Sequence, residues 1–156
     1  MKVYIKTSAQ HGKGVFAARP LEAGEDILQF AGETLHCAQV NFDDYHLQIG
    51  EQLYLGPSGA ADDYVNHCCD PNAAFGNAES DSELSLVALR DIAADEEISW
   101  DYSTAIDEED FAGFACACGA GNCRKRVTSF RHLEAAHQQR LAPYLLPYLK
   151  LKYAKL

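Results

Sequence analysis

Four short stretches combine residue types able to ligate, donate or accept at close spacing, and they contain five of the six cysteines. "YVNHCCDPNAAF", residues 64–75, places an Asn, a His and two adjacent cysteines directly before Asp70-Pro71-Asn72. Asp-Pro-Asn is turn chemistry, because Pro presets φ and Asx side chains bond their own backbone. "CACGAGNC", residues 116–123, sets Cys116, Cys118 and Cys123 in a Cys-x-Cys-x4-Cys array around a Gly-rich turn. Thiolates at this spacing can converge on one tetrahedral zinc without forming a useful disulfide. Three ligands leave one corner open, so the array is either an open catalytic site or a closed structural one completed from elsewhere. Cys37, Cys68, Cys69 and the histidines are the remaining ligand candidates.

The other two stretches are less specific when read alone. In "HGKGVFA", residues 11–17, two glycines bracket a lysine ahead of a Val-Phe pair. Such a turn lets backbone approach a ligand closely. It lacks the third glycine and following helix of a dinucleotide fingerprint, and it is not a Gly-Lys-Ser/Thr phosphate loop. "EEISWDYS", residues 96–103, ends a strand on Trp100, Asp101 and Tyr102.

These groups must be positioned by one domain, since 156 residues with 47% hydrophobic composition suffice for one core. No long apolar run occurs, so neither a signal peptide nor a membrane helix is expected. The expected location is cytoplasmic, or nuclear in a eukaryote, where cysteines serve as thiols or metal ligands. Charge is divided unevenly. Residues 1–123 hold 22 of the 23 acids and 5 of the 13 bases, a net −17, whereas residues 124–156 carry +7. An acidic body of this kind favours a basic, lysine-rich partner over direct binding of nucleic acid.

Short alternating segments dominate the first two thirds: "MKVYIKTS", "GVFAARPL", "EDILQFAGETL", a hairpin in "HLQIGEQLYLG" around Gly50-Glu51, "AAFGNAE", "SELSLVALRDI" and "DEEISWDYST". Their number and spacing predict a mostly β fold. "TAIDEEDFAGFA", residues 104–115, reads as an acidic, exposed stretch with at most a turn of helix. Ser129 reads as an N-cap for a helix running to Leu141, with Pro143 and Pro147 breaking it. The apolar tail at Leu145, Leu146, Tyr148 and Leu149 has the spacing to pack on its own domain or to join an oligomer.

Taken in order, these stretches resemble the SET-domain family of protein lysine methyltransferases. The resemblance rests on "HGKGVFAARPLEAGEDILQFAGETL", "YVNHCCDPN" against the family's Asn-His-Ser-Cys-x-Pro-Asn, "LVALRDIAADEEISWDYS", and "CACGAGNCR" against the post-SET form Cys-x-Cys-Gly-x3-Cys-Arg. It covers residues 12–124.

The resemblance implies a β-clip-like fold of several small sheets with a pseudoknot, in which the segment 66–72 threads under the "ISWDYS" loop. It implies a SET domain over 1–113, a zinc-binding post-SET segment over 114–126 and a C-terminal helical tail over 127–156. The implied cofactor is S-adenosylmethionine, held by Gly12, Lys13, Gly14, Val15, Phe16, Asn66, His67 and Tyr102, with Phe114 over the adenine. The implied reaction is methyl transfer to the side-chain amine of a lysine in a basic protein, histone or ribosomal, with Tyr102 as the catalytic tyrosine. Tyr45, Tyr64 and Trp100 would line the lysine channel. One structural zinc would sit on Cys69, Cys116, Cys118 and Cys123, while Cys68 falls where the family usually has Ser. Two departures stand out: Trp100 replaces the usual Phe or Tyr, and Asp63 replaces a common Arg. The stretch between Leu35 and Tyr64 is short and leaves little insert for substrate recognition.

Overall fold

A computed structural model describes residues 1–41, 45–76 and 84–156. Twelve short strands are found among them: β1 (Val3–Thr7), β2 (Lys13–Ala17), β3 (Asp26–Gln29), β4 (Thr34–His36), β5 (Leu47–Gln48), β6 (Leu53–Leu55), β7 (Asn66–His67), β8 (Ala73–Phe75), β9 (Ser85–Ala88), β10 (Glu97–Trp100), β11 (Phe114–Ala115) and β12 (Arg126–Val127). Two helices follow, α1 (Ala135–Leu141) and α2 (Pro147–Lys152). The strands form four small sheets, in the orders β1-β2-β10-β7, β3-β9-β8, β4-β6-β5 and β11-β12. This is the mostly β architecture that the alternation predicts, divided into the several small sheets that the resemblance implies. No helix among the described residues is long and apolar enough to cross a membrane.

Alternation decides which side chains enter the core. Leu84, Leu86 and Ala88 are enclosed while Ser85 and Val87 are only partly covered, the period-two signature of a strand with one buried face. Together with Val15, Ile98, Trp100 and Phe75 they form one apolar core. The hairpin expected around Gly50 is present, with β5 antiparallel to β6 and the Ile49 amide bonded to the Leu53 carbonyl. "EDILQFAGETL" divides into β3 and β4, which belong to different sheets. The break falls at Gly32, whose φ of 140° brings its backbone so close to Gly56 that a Cβ would lie 2.4 Å from the Gly56 Cα. In "AAFGNAE" the strand ends at Phe75, and residues 77–79 lie outside the described part, as do residues 82 and 83 of "SELSLVALRDI".

The segment 66–72 is laced to β10. β7 runs parallel to it, with Asn66 opposite Ser99 and His67 opposite Trp100. The Asn72 side chain accepts from the Ser99 amide at 3.0 Å and donates to the Glu97 carbonyl at 2.9 Å. Parallel pairing of two-residue strands is weak on its own, so these side-chain bonds hold the register.

The C-terminal third departs from its sequence-based reading in three places. Within "TAIDEEDFAGFA", Asp107 is buried, and no helix forms in residues 105–113. Ser129 caps no α-helix, for its hydroxyl donates to the Glu108 carbonyl instead. A 3-10 turn spans Phe130–His132, and α1 begins only after Glu134. Pro147 opens α2 as its first residue, where a missing N–H costs nothing.

One observation explains the first two departures. The Asp107 carboxylate, with no side-chain exposure, collects Lys152 at 2.8 Å, Arg131 at 3.3 Å and the Tyr153 hydroxyl at 3.0 Å. The Arg131 amide also donates to it at 3.0 Å, fixing the 3-10 turn. The basic tail therefore folds back on the acidic body. Leu145, Leu146 and Leu149 are buried within the chain itself, Leu146 in the main core, at about 2 kcal/mol for each such leucine.

Burial alone would raise the Asp107 carboxyl, yet the bonds from Lys152, Arg131 and Tyr153 hold it below the ordinary aspartate value. A depressed carboxyl adds stability above its unfolded pKa of about 4, and that contribution is lost as pH falls through the lower folded value. Asp107→Asn should cost about 2 kcal/mol at pH 7, less than for a fully enclosed pair because Lys152 and Arg131 keep 34% and 29% of their side chains exposed. Thermal melts from pH 7 to pH 2 should show the variant and wild type converging below about pH 4. Parallel curves over that range would contradict this assignment.

Candidate active site

The Gly12-Lys13-Gly14 turn leads into β2 and is fastened from the side by Asn66. Its amide nitrogen donates to the Lys13 carbonyl at 3.0 Å, the His11 carbonyl at 3.3 Å and Glu97 Oε1 at 2.8 Å. Glu97 also accepts from the Ser8 hydroxyl at 2.9 Å. Gly14 makes this arrangement possible, since a Cβ there would lie 2.3 Å from Glu97 Oε1. Gly12 and Lys13 remain exposed, and the space beside Gly12 is open. Val15 and Phe16 are different: both side chains are buried, and their backbones pair with β1 and β10. They hold the turn in place and present no side chain beside it.

From Asn66 a continuous run of contacts leads to the remaining expected residues. His67 follows Asn66 in β7, and its ring lies 5.4 Å from that of Tyr102. The Tyr102 ring is 6.3 Å from Phe114, which is 45% exposed on β11. Lys13 holds its ammonium 5.0 Å from the Tyr64 ring, and Tyr64 is 5.2 Å from Tyr45.

Tyr102, Tyr45 and Trp100 line a cavity of about 210 Å³. Its walls are mainly apolar, with Phe30, Leu47, Val65 and Ile106 among them, and Asp62 and Asp63 add carboxylates. Tyr64 is not among the lining residues and stands between Tyr45 and Lys13. Asp63, where an Arg was the common alternative, accepts from the Ser58 and Gly59 amides and so closes its own loop. Trp100 is wedged among Phe30, Phe75 and Tyr102, with ring centroids 6.0, 4.9 and 4.7 Å away. Its indole N–H is buried without an acceptor among the described residues.

The Tyr102 hydroxyl donates to the Val65 carbonyl at 2.8 Å. Burial pushes its pKa well above the ordinary tyrosine value. The phenol therefore stays protonated at neutral pH and acts as a donor. Tyr102 opens a 3-10 turn, Tyr102–Thr104, capped by Asp101, whose carboxylate accepts from the Ser103 amide.

Behind this turn lie the cysteines. The ligand atoms of Cys69, Cys116, Cys118 and Cys123 are all within 4.8 Å of one another, with Cys69 to Cys116 at 3.8 Å and Cys116 to Cys123 at 3.7 Å. Four sulfurs about 2.3 Å from a tetrahedral zinc are about 3.8 Å apart, so the group already has the dimensions of a closed four-thiolate site. Amides of Arg124 and Lys125 point at Cys69 and Cys123 sulfur, each at 3.4 Å. Burial opposes ionisation of Cys118, but bonds from the Cys69 and Ala120 backbone and from neighbouring thiols bring its pKa down to about 6. Cys68 lies outside the group, buried, with its thiol on the Asp70 carbonyl and its pKa pushed up to about 11, chiefly by burial.

His67 joins the two halves of the site. Its Nδ1 accepts from the Tyr102 amide at 3.1 Å, and its Nε2 lies 3.3 Å from Cys69 sulfur. Burial brings its pKa down to about 4, so the ring is neutral at pH 7 and, with Nδ1 accepting, carries its proton on Nε2.

Asp101 and Arg124 belong to the site, but from sequence they are named only as members of "EEISWDYS" and "CACGAGNCR", with no role for either. Each stands beside a residue that has one, Asp101 before Tyr102 and Arg124 after Cys123, yet nothing in the chain announces that they meet. The guanidinium grips the carboxylate with two bonds, of 2.7 and 2.8 Å.

A family model described as SET domain matches residues 12–103. The chain is 32% identical over 137 residues to histone-lysine N-methyltransferase trr of Drosophila melanogaster, covering 79% of this chain and 6% of that protein. It is 30% identical over 137 residues to the H3 lysine-4 specific histone-lysine N-methyltransferase of Eremothecium gossypii, covering 78% of this chain and 14% of that one. The crystal structure of KRYPTONITE in complex with mCHH DNA, H3(1-15) peptide and SAH superposes with a TM-score of 0.65 at 26% identity, over 81% of this chain and 29% of that chain. The chain thus spans a small part of the curated relatives it matches.

The cysteine geometry has a direct test. Protein purified with zinc present should carry about one ion per chain by elemental analysis. Cys68→Ser should keep it, whereas Cys69→Ser should lose most of it. Equal metal in both variants would remove Cys69 from the ligand set.

Proposed function

The chain belongs to the SET-domain family, and we propose that it is an S-adenosylmethionine-dependent protein-lysine N-methyltransferase. The observation that carries this reading is a mainly apolar cavity bounded by Tyr102 and Trp100, with the Gly12-Lys13-Gly14 turn, Asn66 and His67 joined to Tyr102 by direct contact. Bound S-adenosylmethionine supplies an electrophilic methyl group on a sulfonium. Its holders here are the Gly12-Lys13-Gly14 backbone, Asn66 and His67, with Phe114 offering a half-exposed ring beside Tyr102. Zinc on Cys69, Cys116, Cys118 and Cys123 is structural, because four thiolates leave no open position.

The lysine side chain enters between Tyr45, Trp100 and Tyr102. In water its amine has a pKa of about 10.4 and is protonated. An apolar channel lowers that value, since desolvation penalises the ammonium, and a neighbouring sulfonium lowers it further. The protonated Tyr102 phenol is a donor and cannot take the proton, so its part is to orient the reacting groups. Alignment of this kind supplies several kcal/mol of the barrier reduction.

A lysine-rich peptide suits the surroundings. The body is strongly acidic. A groove sharing Gln48 with the channel is lined by Glu51, Glu108, Glu109 and Asp110, with Arg131 and Lys152 at its tail side. A histone tail or a basic ribosomal protein presents the required chemistry.

The test is transfer from labelled S-adenosylmethionine to core histones and to a lysate of the source cells. Wild type should label a band, and Tyr102→Phe should lose most of that label while still binding cofactor. Full activity in Tyr102→Phe would overturn its assignment. Trp100→Tyr places a hydroxyl acceptor where the indole has only a donor, restraining rotation of a methylated amine. Mass spectrometry of the product should then show fewer methyl groups per lysine than with wild type.

A further inference from the structure

Two separate contacts join the four-cysteine cluster to residues 101–103, and one of them is a buried ion pair. Arg124 follows the last cysteine of the cluster, and its peptide amide donates to Cys69 sulfur at 3.4 Å. Its guanidinium turns the other way. Nη1 and Nη2 reach Asp101 at 2.7 and 2.8 Å, and Nη2 also reaches the Ser103 hydroxyl at 3.3 Å. The two side chains are 7% and 1% exposed. Asp101 in turn caps the 3-10 turn that begins at Tyr102. The second contact is the neutral His67 ring, between the Tyr102 amide and Cys69 sulfur.

A buried carboxylate must be paired or protonated, because isolated charge is too costly away from water. Asp101 has two oxygens to satisfy while it also caps the turn. A planar guanidinium does this with two parallel bonds and has a further N–H for Ser103, whereas an ammonium is a point charge without the fork. The orientation of residues 101–103 therefore depends on where the chain leaves the cysteine cluster.

We propose that Arg124 is a positioning residue for Tyr102, acting through Asp101 and Ser103, so that assembly of the cysteine cluster sets the aim of the phenol. The inference rests on the methyl-transfer reading for its kinetic consequence and on the contacts above for its structural one. Among the described residues the Tyr102 hydroxyl makes one bond, to the Val65 carbonyl at 2.8 Å. Rotation of its turn would stretch that bond beyond hydrogen-bonding range.

The experiment compares zinc-loaded Arg124→Lys with wild type, using S-adenosylmethionine and a histone peptide. The variant should keep about one zinc per chain and bind S-adenosylmethionine within about threefold of wild type, with KM for peptide little changed and kcat reduced roughly 10- to 100-fold. Trp100 is the chain's one tryptophan, adjoins Asp101 and lies 4.7 Å from Tyr102. Its emission should shift to the red in the variant, a readout that needs no turnover. A kcat within about twofold of wild type, or zinc and cofactor binding lost in proportion to kcat, would overturn the proposal, the second result meaning a purely structural role.

Should Arg124→Lys fail to fold, Ser103→Ala leaves the Arg124–Asp101 pair in place and removes the third contact together with the bond from the Ser103 hydroxyl to the Thr128 carbonyl, and it should lower kcat with zinc and cofactor retained. Unchanged kcat and unchanged Trp100 emission in that variant would overturn the proposal as well. If wild type transfers no methyl group, the transfer reading fails, and the Trp100 emission of the zinc-loaded variants still decides the coupling.

Discussion

A carboxylate and a guanidinium, both withdrawn from water, stand between the cysteine cluster and the turn that carries Tyr102. Asp101 and Arg124 are 23 residues apart in the chain, yet both Asp101 oxygens are engaged by Arg124. Removing one member of such a pair leaves the other as an uncompensated buried charge, a loss of about 3–5 kcal/mol. The residues on either side inherit this rigidity. Trp100, before Asp101, forms a cavity wall; Tyr102, after it, presents the phenol; Cys123, before Arg124, closes the cluster.

The same economy of short segments holding one another recurs on the opposite side of the site. β7 and β10 pair over two residues. Such a ladder would fray without Asn66 and Asn72, whose amide groups bond to backbone and to Glu97 or Glu96 on both sides. Small sheets of two to four strands supply little cooperative hydrogen bonding, so side-chain amides and carboxylates carry the register that longer strands would set by themselves. Close packing follows: a Cβ at Gly14 would lie 2.3 Å from Glu97 Oε1 and would push that carboxylate from its place beside Asn66.

The tail completes the body by charge as much as by apolar contact. Asp107 draws Arg131, Lys152 and Tyr153 from three points along residues 131–153, while Leu146 enters the main core and Leu145 and Leu149 pack with Phe130 and Leu141. Tyr148 donates to the Ala105 carbonyl, and Arg140 reaches the Cys69 carbonyl at 3.2 Å. The large apolar side chains left exposed on the tail are Leu151 and Leu156.

Local pattern and residue chemistry are legible in the linear chain. Alternation at Leu84, Leu86 and Ala88 marked a half-buried strand, and Cys-x-Cys-x4-Cys marked a metal-sized group lacking one member. The resemblance of "YVNHCCDPN" nominated Cys69 over Cys68 as that member, and the geometry places Cys69 in the group and Cys68 outside it. The long-range pairings could be read only from the folded molecule. An Asp in an acidic run looks solvated until three partners converge on it, and a Ser before an amphipathic stretch looks like a cap until a nearer carbonyl takes its hydroxyl. Asp101 and Arg124 were visible as letters beside Tyr102 and Cys123, but their pairing depends on where the fold brings residues 101 and 124. Burial then makes that encounter strong, by removing the water that would otherwise screen it.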